Sequence, residues 1–435
     1  MTLPHFTALP RAEFMDEAEI AAIQRERWRA QAAWVAGHSD FYKAHPAGPL
    51  LGGDLDEIAD LPFTDKAMLR DDQAAHPPFG SYLAAAPEAV SRVHRTSGTT
   101  GVAMNLALSA ADATMTALVG ARAQSAAGLG PGHRVVHCLN YQLWMGGYTD
   151  HATLEAAGAT VIPYGVGGTE GLINVIRELG VTAISCTPSY PAVLEKVIAE
   201  RFEGLKPRDL GLRLGLFGGE AGLDEPAFRA RLENVWGFSA MNANYGVSDV
   251  LCNFAAQTPD NPDLHFMAMD VLHPELIDPD SGAPLPWKEG ETGEMALTHL
   301  AKECQPLVRF RTGDIVTLTG LGRASCGRTA PRFRVVGRSD DMVVVRGLNM
   351  FPAMVGGIVS SFAGLSGEYR IVLAGPPPYD ALPVEAELAE GADPEGLAEA
   401  VEARFKKTLG ATAKVRLLPP GSLPRSEGKT RRVVR

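Results

Sequence analysis

From about residue 89 onward the chain sets short β-rich runs between Ala- and Leu-rich helical stretches that often end at Gly, and this alternation limits the fold more than any other feature. The runs "RVVHCLN" (134–140), "ATVIPYG" (159–165), "VTAISC" (181–186) and "LRLGLF" (212–217) have the length and composition of strands. Strands that alternate with helices are joined by crossovers, which predicts a largely parallel sheet with helices on both faces. Ahead of this region, "EIAAIQRERWRAQAAWVAG" places Ile20, Ile23, Trp28, Trp34 and Val35 within one arc of a helix, with Gly37 as its stop. After "RFRVVGRSDD" the texture changes. A short strand (342–345), a helix after Pro352, strands near "YRIVLAG" and "VEAELA", a helix from about 394 to 409 and the strand "AKVRLL" give the order β-α-β-β-α-β. A chain of 435 residues exceeds one ordinary core. The expected fold class is therefore α/β, with a large N-terminal α/β domain of parallel sheets (1–337) and a small, mobile C-terminal α+β domain (338–435).

Charge and composition exclude several classes of function. Hydrophobic residues make up 46 % and charged residues 21 %, the balance of a soluble globular chain. The opening "MTLPHFTALPRAEFMDEAEI" has no basic start followed by an apolar run, and no stretch of about 18 apolar residues occurs. No membrane role is expected. Five cysteines, an odd number, suit a reducing compartment, so the location expected is cytoplasmic. A net charge of −11 argues against nucleic acid as a partner. Against that acidity the tail "LPRSEGKTRRVVR" (423–435) is strongly basic and presents Lys429 directly after a glycine.

Four further stretches carry chemistry. "HRTSGTTGVAMN" (94–105) gathers Thr96, Ser97, Gly98, Thr99 and Thr100, whose backbone N–H groups and hydroxyls suit a phosphate cradle, although no Walker-type Gly-Lys-Ser/Thr follows. "NANYGVSD" (242–249) offers Tyr245 beside Gly246 to wall a purine or an aromatic pocket, and Ser248 and Asp249 to hold a phosphate and its magnesium. "RFRTGD" (309–314) ends in Asp314, whose carboxylate can accept from both hydroxyls of a ribose. "GRSDDMVVVRGLNMFP" (337–352) is a polar, glycine-bounded junction of the kind a hinge needs.

Taken in order, "TSGTTG", "FGGE", "YGVSD", "RFRTGD", "GRSDDMVVVRGLNMFP" and "PRSEGK" resemble the adenylate-forming superfamily, and specifically the phenylacetate-CoA ligase family. "LPFTDKAMLR" (61–70) resembles that family's early segment, and the likeness runs from about residue 14 to the C-terminus. The resemblance implies an AMP-forming acid-thiol ligase that uses ATP, magnesium and coenzyme A on an aromatic or arylacetic carboxylic acid, with an acyl-adenylate as intermediate. By position it assigns Thr96, Ser97, Gly98, Thr99 and Thr100 to the triphosphate, Gly219, Glu220, Tyr245 and Gly246 to the adenine side, and Ser248 and Asp249 to phosphate and magnesium. It assigns Asp314 to the ribose, Arg338 to phosphate or ribose near the hinge, Asp340 to the pivot, Gly347 to the coenzyme A channel and Lys429 to the carboxylate and α-phosphate. Tyr141, Trp144 and Met145 would line the acid pocket, with Ala243 and Tyr245 opposite.

The chain departs from the family pattern at several points. Gly101, Val102 and Ala103 stand where Gly-Lys-Pro is usual, Asp249 stands where a glutamate is usual, and Trp144 stands where a phenylalanine is expected. Some relatives carry zinc on a Cys-x-Cys-Gly segment. Here Ala324 precedes Cys326, and Cys252 and His265 would be the other ligands, which leaves three where a closed site wants four, so the expected zinc site is vestigial or absent. A homodimer stays open. Two other functions remain at this stage: an adenylating enzyme that hands its acyl group to a carrier-protein thiol or an amine, and a non-catalytic acyl or nucleotide sensor. The intact "PRSEGK" speaks against the sensor.

Overall fold

The computed structural model describes residues 11–96, 103–220, 223–346, 348–375, 379–424 and 432–434. An eleven-stranded sheet runs through the larger part. From one edge its strands are Leu272–Ile277, Thr292–His299, Phe310–Gly320, Arg332–Arg338, Asn261–Phe266, Leu251–Thr258, Ser239–Val247, Leu214–Gly218, Ala183–Cys186, Arg134–His137 and Thr160–Pro163. The last five are parallel to one another. The first seven pair antiparallel, so Ser239–Val247 belongs to both halves. The antiparallel half goes beyond the parallel sheet that the alternation predicts. At one connection the reason is plain: only Pro259 and Asp260 separate Leu251–Thr258 from Asn261–Phe266, and a two-residue link can only reverse the chain.

Helices cover both faces of the parallel half. Neighbouring residues of one strand enter opposite cores, as the two-residue period of a strand requires. Val136, Ile184 and Phe217 pack with Ile173, Ile176, Leu194 and Trp236, from the helices Thr169–Glu178, Tyr190–Arg201 and Pro226–Trp236. Val135, Ala183 and Leu216 pack instead with Leu154 of the Met145–Ala156 helix, and with Met241 and Ala243. The first long helix, Glu17–His38, opens on a capping box in which Asp16 accepts from Glu19 N and Glu19 accepts from Asp16 N, both at 2.9 Å. It runs through Gly37 and ends at His38, where Ser39 already caps the next short helix, Asp40–Ala44.

Beyond Arg338 come a hairpin of Val343–Val345 with Leu348–Met350, the helix Pro352–Ser360, and a sheet in the order Ala413–Leu418, Leu382–Leu388, Leu365–Val372, Val433–Val434, with Leu397–Leu409 as its second helix. Val355, Val359, Ile371, Val384, Val401 and Phe405 form a core of their own. The hairpin and the final strand add to the β-α-β-β-α-β expectation. The final strand pins the segment after the basic stretch: Ile371 N donates to Arg432 O (2.7 Å) and Leu373 N to Val434 O (2.8 Å). On the other side Leu423 N donates to Glu387 Oε2 (2.8 Å). Both flanks of the basic segment are thus anchored to one small sheet. No described helix is long and apolar enough to cross a membrane.

Candidate functional site

The strand Ser239–Val247 joins the parallel half of the sheet to the antiparallel half, and its carboxyl end lies with those of the parallel strands, the side on which open α/β sheets bind ligands. Tyr245 and Gly246 occupy that end, with half-buried Ser248 and buried Asp249 in the turn that follows. The turn can be this tight only because residue 246 has no side chain: a Cβ there would sit 2.0 Å from Cys252 O. The Tyr245 ring is held edge-on by Phe254 (5.3 Å) and Phe333 (5.2 Å), and its hydroxyl donates to Asp314 Oδ2 at 2.7 Å. Burial, then the adjacent Asp314 carboxylate, keeps the phenol well above its ordinary pKa, so it remains a donor.

Asp314 is buried on the Phe310–Gly320 strand, and its other oxygen accepts from Arg338 Nη1 at 2.7 Å. Arg338 in turn donates through Nε to Asp340 Oδ1 at 2.9 Å. Burial pulls the guanidinium pKa down, but Asp314, Asp340 and Asp341 outweigh it and leave the cation firmly charged. Tyr245, Asp314, Arg338 and Asp340 therefore form one bonded line from the switch strand to the start of the C-terminal region.

On the neighbouring strand end, Gly219 adopts a φ of +81° and leads into half-buried Glu220. Ser189 donates to Glu220 Oε2 at 2.7 Å, while Oε1 is buried without a partner among the described residues. Burial raises the Glu220 pKa, against the pull of Ser189. A buried oxygen left unbonded is costly, which suits a site that a ligand donor completes.

Thr96 marks the near end of the phosphate-cradle stretch. It is buried, and its hydroxyl accepts from Met104 N at 3.0 Å. Ser97, Gly98, Thr99 and Thr100 lie outside the described residues, as do Gly347 and Lys429. Asp249 bonds through Oδ2 to Lys66 Nζ at 2.8 Å, and its Oδ1 is buried without a partner among the described residues. A carboxylate with one uncommitted buried oxygen fits a divalent cation.

The acid-pocket candidates surround the start of the Met145–Ala156 helix. Leu143, at φ +60°, turns the chain so that half-buried Trp144 can precede it. Gly146 and Gly147 follow by necessity: a Cβ at 146 would lie 2.8 Å from the Trp144 ring, and one at 147 would lie 2.3 Å from Asn140 O. The Trp144 ring reaches toward Gly219, where a Cβ would come within 3.8 Å of it. His137 anchors the turn: its Nε2 meets Gly146 O and Gly147 O, each at 3.0 Å, and its Nδ1 meets Ser185 Oγ at 3.1 Å. Tyr141 is half-buried, with its hydroxyl on His151 Nδ1 at 2.9 Å. Met145 is buried with Leu106, Leu108 and Cys252, and Ala243 lies in the core beneath the helix with Leu154.

The three cysteine and histidine candidates do not converge. Cys326 Sγ lies 3.8 Å from His265 Nε2, and burial pushes the imidazole pKa down to about 4, so a neutral ring faces the thiol. Cys252 is buried elsewhere, packed with Leu106, Leu108 and Met145. No group of three or more His, Cys, Asp or Glu arranged for a metal occurs among the described residues.

Sequence reasoning passed over Lys66, Ser189, Asn244 and Asp150. Lys66 sits in the quoted "LPFTDKAMLR" and Asn244 in "NANYGVSD", so both were in view. Their partners are 183 and 94 residues away, and only the fold reveals them.

Comparison with known proteins fits this geometry. The AMP-binding enzyme family model matches residues 53–299, and the AMP-binding enzyme C-terminal domain model matches residues 347–435. Phenylacetate-coenzyme A ligase of Thermus thermophilus is 34 % identical over 456 residues, covering 98 % of each chain. The protein of the same name from Escherichia coli is 33 % identical, covering 96 % of this chain and 95 % of its own. Among solved structures, 2-hydroxyisobutyryl-CoA ligase in the postadenylation state with 2-HIB-AMP superposes with a TM-score of 0.88 at 30 % identity, covering 100 % of this chain and 94 % of its own. In the thioesterification state, with 2-HIB-AMP and CoA, that ligase superposes with a TM-score of 0.71 at 31 % identity, covering 98 % and 91 %.

Proposed function

The chain belongs to the phenylacetate-CoA ligase family of AMP-binding enzymes, and we propose that it joins an aromatic or arylacetic carboxylic acid to coenzyme A through an acyl-adenylate. The observation that carries this is the bonded line Tyr245–Asp314–Arg338–Asp340, which links an aromatic wall, a ribose acceptor and the junction. Asp314 keeps lone pairs for two ribose hydroxyls although Tyr245 and Arg338 each occupy one. Glu220 Oε1 offers an acceptor to the adenine amine.

In the first step an oxygen of the acid attacks the α-phosphorus of ATP, and pyrophosphate leaves. Two anions meet, so the reaction needs positive charge placed in advance. Lys429 fills that role between its two anchored flanks, with Arg338 at the ribose side. Asp249 would hold magnesium, which neutralises phosphate charge when bound. In the second step the coenzyme A thiolate attacks the acyl carbon and AMP leaves. Residues 338–435 turn about Asp340 between the steps, taking Lys429 away and bringing Gly347 to the thiol channel. All five cysteines are unpaired, which supports a cytoplasmic setting.

The test is ATP consumption across aryl, arylacetic and fatty acids, with and without coenzyme A. AMP, pyrophosphate and an acyl-CoA are expected from at least one aromatic acid. ATP left intact by the whole panel would refute the activity, and AMP formed with an amine but no thioester would move the acceptor elsewhere.

A further inference from the structure

We propose that Lys66 is a further binding residue of the ligase reaction, one that takes the β- and γ-phosphates of ATP. This rests on the nucleotide site argued above. From Thr96 to Ala121 the sequence has no Lys or Arg, so the stretch assigned to the triphosphate brings hydroxyls and backbone N–H groups but no cation of its own. Pyrophosphate leaves with the electrons of the broken P–O bond, so charge builds on the β-phosphate during adenylation, and a cation placed beforehand stabilises that build-up. The helix Lys66–Ala75 stands where such a cation is needed. Asp65 caps it, accepting from Met68 N at 2.9 Å, which fixes Lys66 as its first residue. Lys66, Arg70 and Gln73 follow the i, i+4, i+7 spacing of one helix face. On that face Lys66 Nζ meets Asp249 Oδ2 at 2.8 Å, in the turn after Ser239–Val247. Arg70 lines a cavity of about 200 Å³ with Ala103, Met104 and Asn105, through which the chain leaves the stretch assigned to the triphosphate. Gln73 closes the far end: its Oε1 accepts from Asn105 N at 2.7 Å and its Nε2 donates to Asn105 O at 3.0 Å. One face of one helix therefore runs from the carboxylate proposed for magnesium to the exit of the phosphate cradle.

The ion pair itself is incomplete in a way that points to a third group. Asp249 is 8 % exposed, and its Oδ1 is buried without a partner among the described residues. The Lys66 side chain is 40 % exposed and has three N–H donors, of which Asp249 takes one. A salt bridge built only for stability would turn a spare donor toward the orphaned oxygen, because a buried acceptor left unbonded is costly. Here the acceptor stays alone inside while the ammonium stays half in solvent. Asp249 thus fixes the position of the ammonium without exhausting it, and two N–H groups remain for phosphate oxygens, which lysine binds as a compact point charge. The free oxygen of Asp249 is left for a divalent cation.

The experiment measures nucleotide binding to the full-length protein by calorimetry, with α,β-methylene-ATP, whose reacting bond cannot break, and with AMP, which lacks the two terminal phosphates. Lys66→Met keeps the apolar stem and removes the charge. It should weaken the analogue by about tenfold or more, the scale of a charge-assisted hydrogen bond, and leave AMP within about threefold. Lys66→Arg, which restores a phosphate-binding cation, should recover most of the loss. The loss should appear with magnesium and with EDTA alike, because the contact is the lysine's own. Equal weakening of the analogue and AMP would overturn the proposal, since Lys66 would then only shape the site; so would no weakening, or a loss seen only with magnesium. A second measurement needs no variant to fold. Reductive methylation of the unaltered protein, read residue by residue by mass spectrometry, should show Lys66 protected by the analogue and not by AMP, and equal labelling under both would overturn the proposal as firmly. An analogue that fails to bind the unaltered protein would remove the nucleotide site together with this inference; binding that does not depend on Lys66 removes this inference alone.

Discussion

Asp314 accepts one hydrogen bond from a tyrosine and one from an arginine, at 2.7 Å each, which fixes the plane of its carboxylate before any ligand arrives. That preorganisation is what a ribose acceptor needs, and it gives a prediction at the scale of one residue. Asp314→Ala should raise KM for ATP by about 10- to 150-fold, the equivalent of roughly 1.5–3 kcal/mol for charge-assisted hydrogen bonds. On the proposed reading, in which the carboxylate takes the ribose hydroxyls, the rise should be the same for every acid tested. A loss confined to some acids would place Asp314 in the acid pocket instead. His137 gives a second prediction. Burial pushes its pKa from 6.5 down to about 4, against the favourable bonds to Gly146 O and Gly147 O, so the folded protein holds a neutral ring. A folded-state pKa below the unfolded one stabilises fully above about 6.5 and is lost as pH falls toward about 4. In urea titrations, the unfolding free energy of the unaltered protein minus that of His137→Gln should be constant above that range. It should then decline by up to about 1.4 kcal/mol per pH unit within it. A difference that stays flat from pH 7.5 to 4.5 would show that His137 is not held neutral.

At the scale of elements, the junction is written into side-chain absence. Gly337 ends the run before Arg338, and a Cβ there would fall 2.4 Å from Phe351 Cδ1 and 2.8 Å from Phe351 Cβ. Phe351 is 5 % exposed at the start of the Pro352–Ser360 helix and has no room to withdraw. Gly337→Ala should therefore push that helix off the Arg332–Arg338 strand. Adenylation, read by pyrophosphate exchange, should slow more than thioester formation from a supplied acyl-adenylate; equal slowing, or none, would mean that this packing does not matter to the first step. Such contacts also show why the sequence was legible in some places and silent in others. "RVVHCLN", "VTAISC" and "LRLGLF" could be read because β-branched and apolar runs announce strands locally: Arg134–His137 and Ala183–Cys186 fall within the first two, and Leu214–Gly218 runs one residue past the third. Gln24 and Gln31 could not. Both are buried on the first long helix, where they bond Met269 O and Lys302 O, partners that the sequence separates by 245 and 271 residues. Asp150 was hidden for the same reason: a carboxylate on a helix reads as solvated until the fold supplies Asn244 and Cys252. Family likeness could name the motif residues proposed for the nucleotide side, while Lys66 opposite Asp249 needed coordinates.

For the whole molecule the question is which of two arrangements the chain favours, and how one lysine could serve only one of them. The TM-score of 0.88 with a relative in its postadenylation state against 0.71 in its thioesterification state puts the C-terminal part in the earlier arrangement. Local contacts agree: Glu220 lies within the field of Arg432 and Glu368, and a Cβ on Gly357 would meet Glu225 Oε1 at 2.3 Å, so the two parts are closely packed here. In the sequence Lys429 stands between flanks pinned to the small sheet at Leu423 and at Arg432–Val434, and on the proposed reading it moves with that sheet. A cation carried this way can be present when carboxylate meets phosphate and absent when a thiolate arrives, at which point a lysine beside the leaving AMP would only hold it back. We therefore expect Lys429→Ala to slow adenylate formation by about 100-fold or more, the scale of losing a preplaced charge at a transition state. The same variant given a synthetic acyl-adenylate and coenzyme A should make thioester within about threefold of the unaltered rate, since that step forms no bond to phosphate. Single-turnover measurement of each half-reaction separates the two. Equal losses in both would mean that Lys429 supports the fold or binds nucleotide throughout, and the idea of a charge delivered by rotation would have to be abandoned.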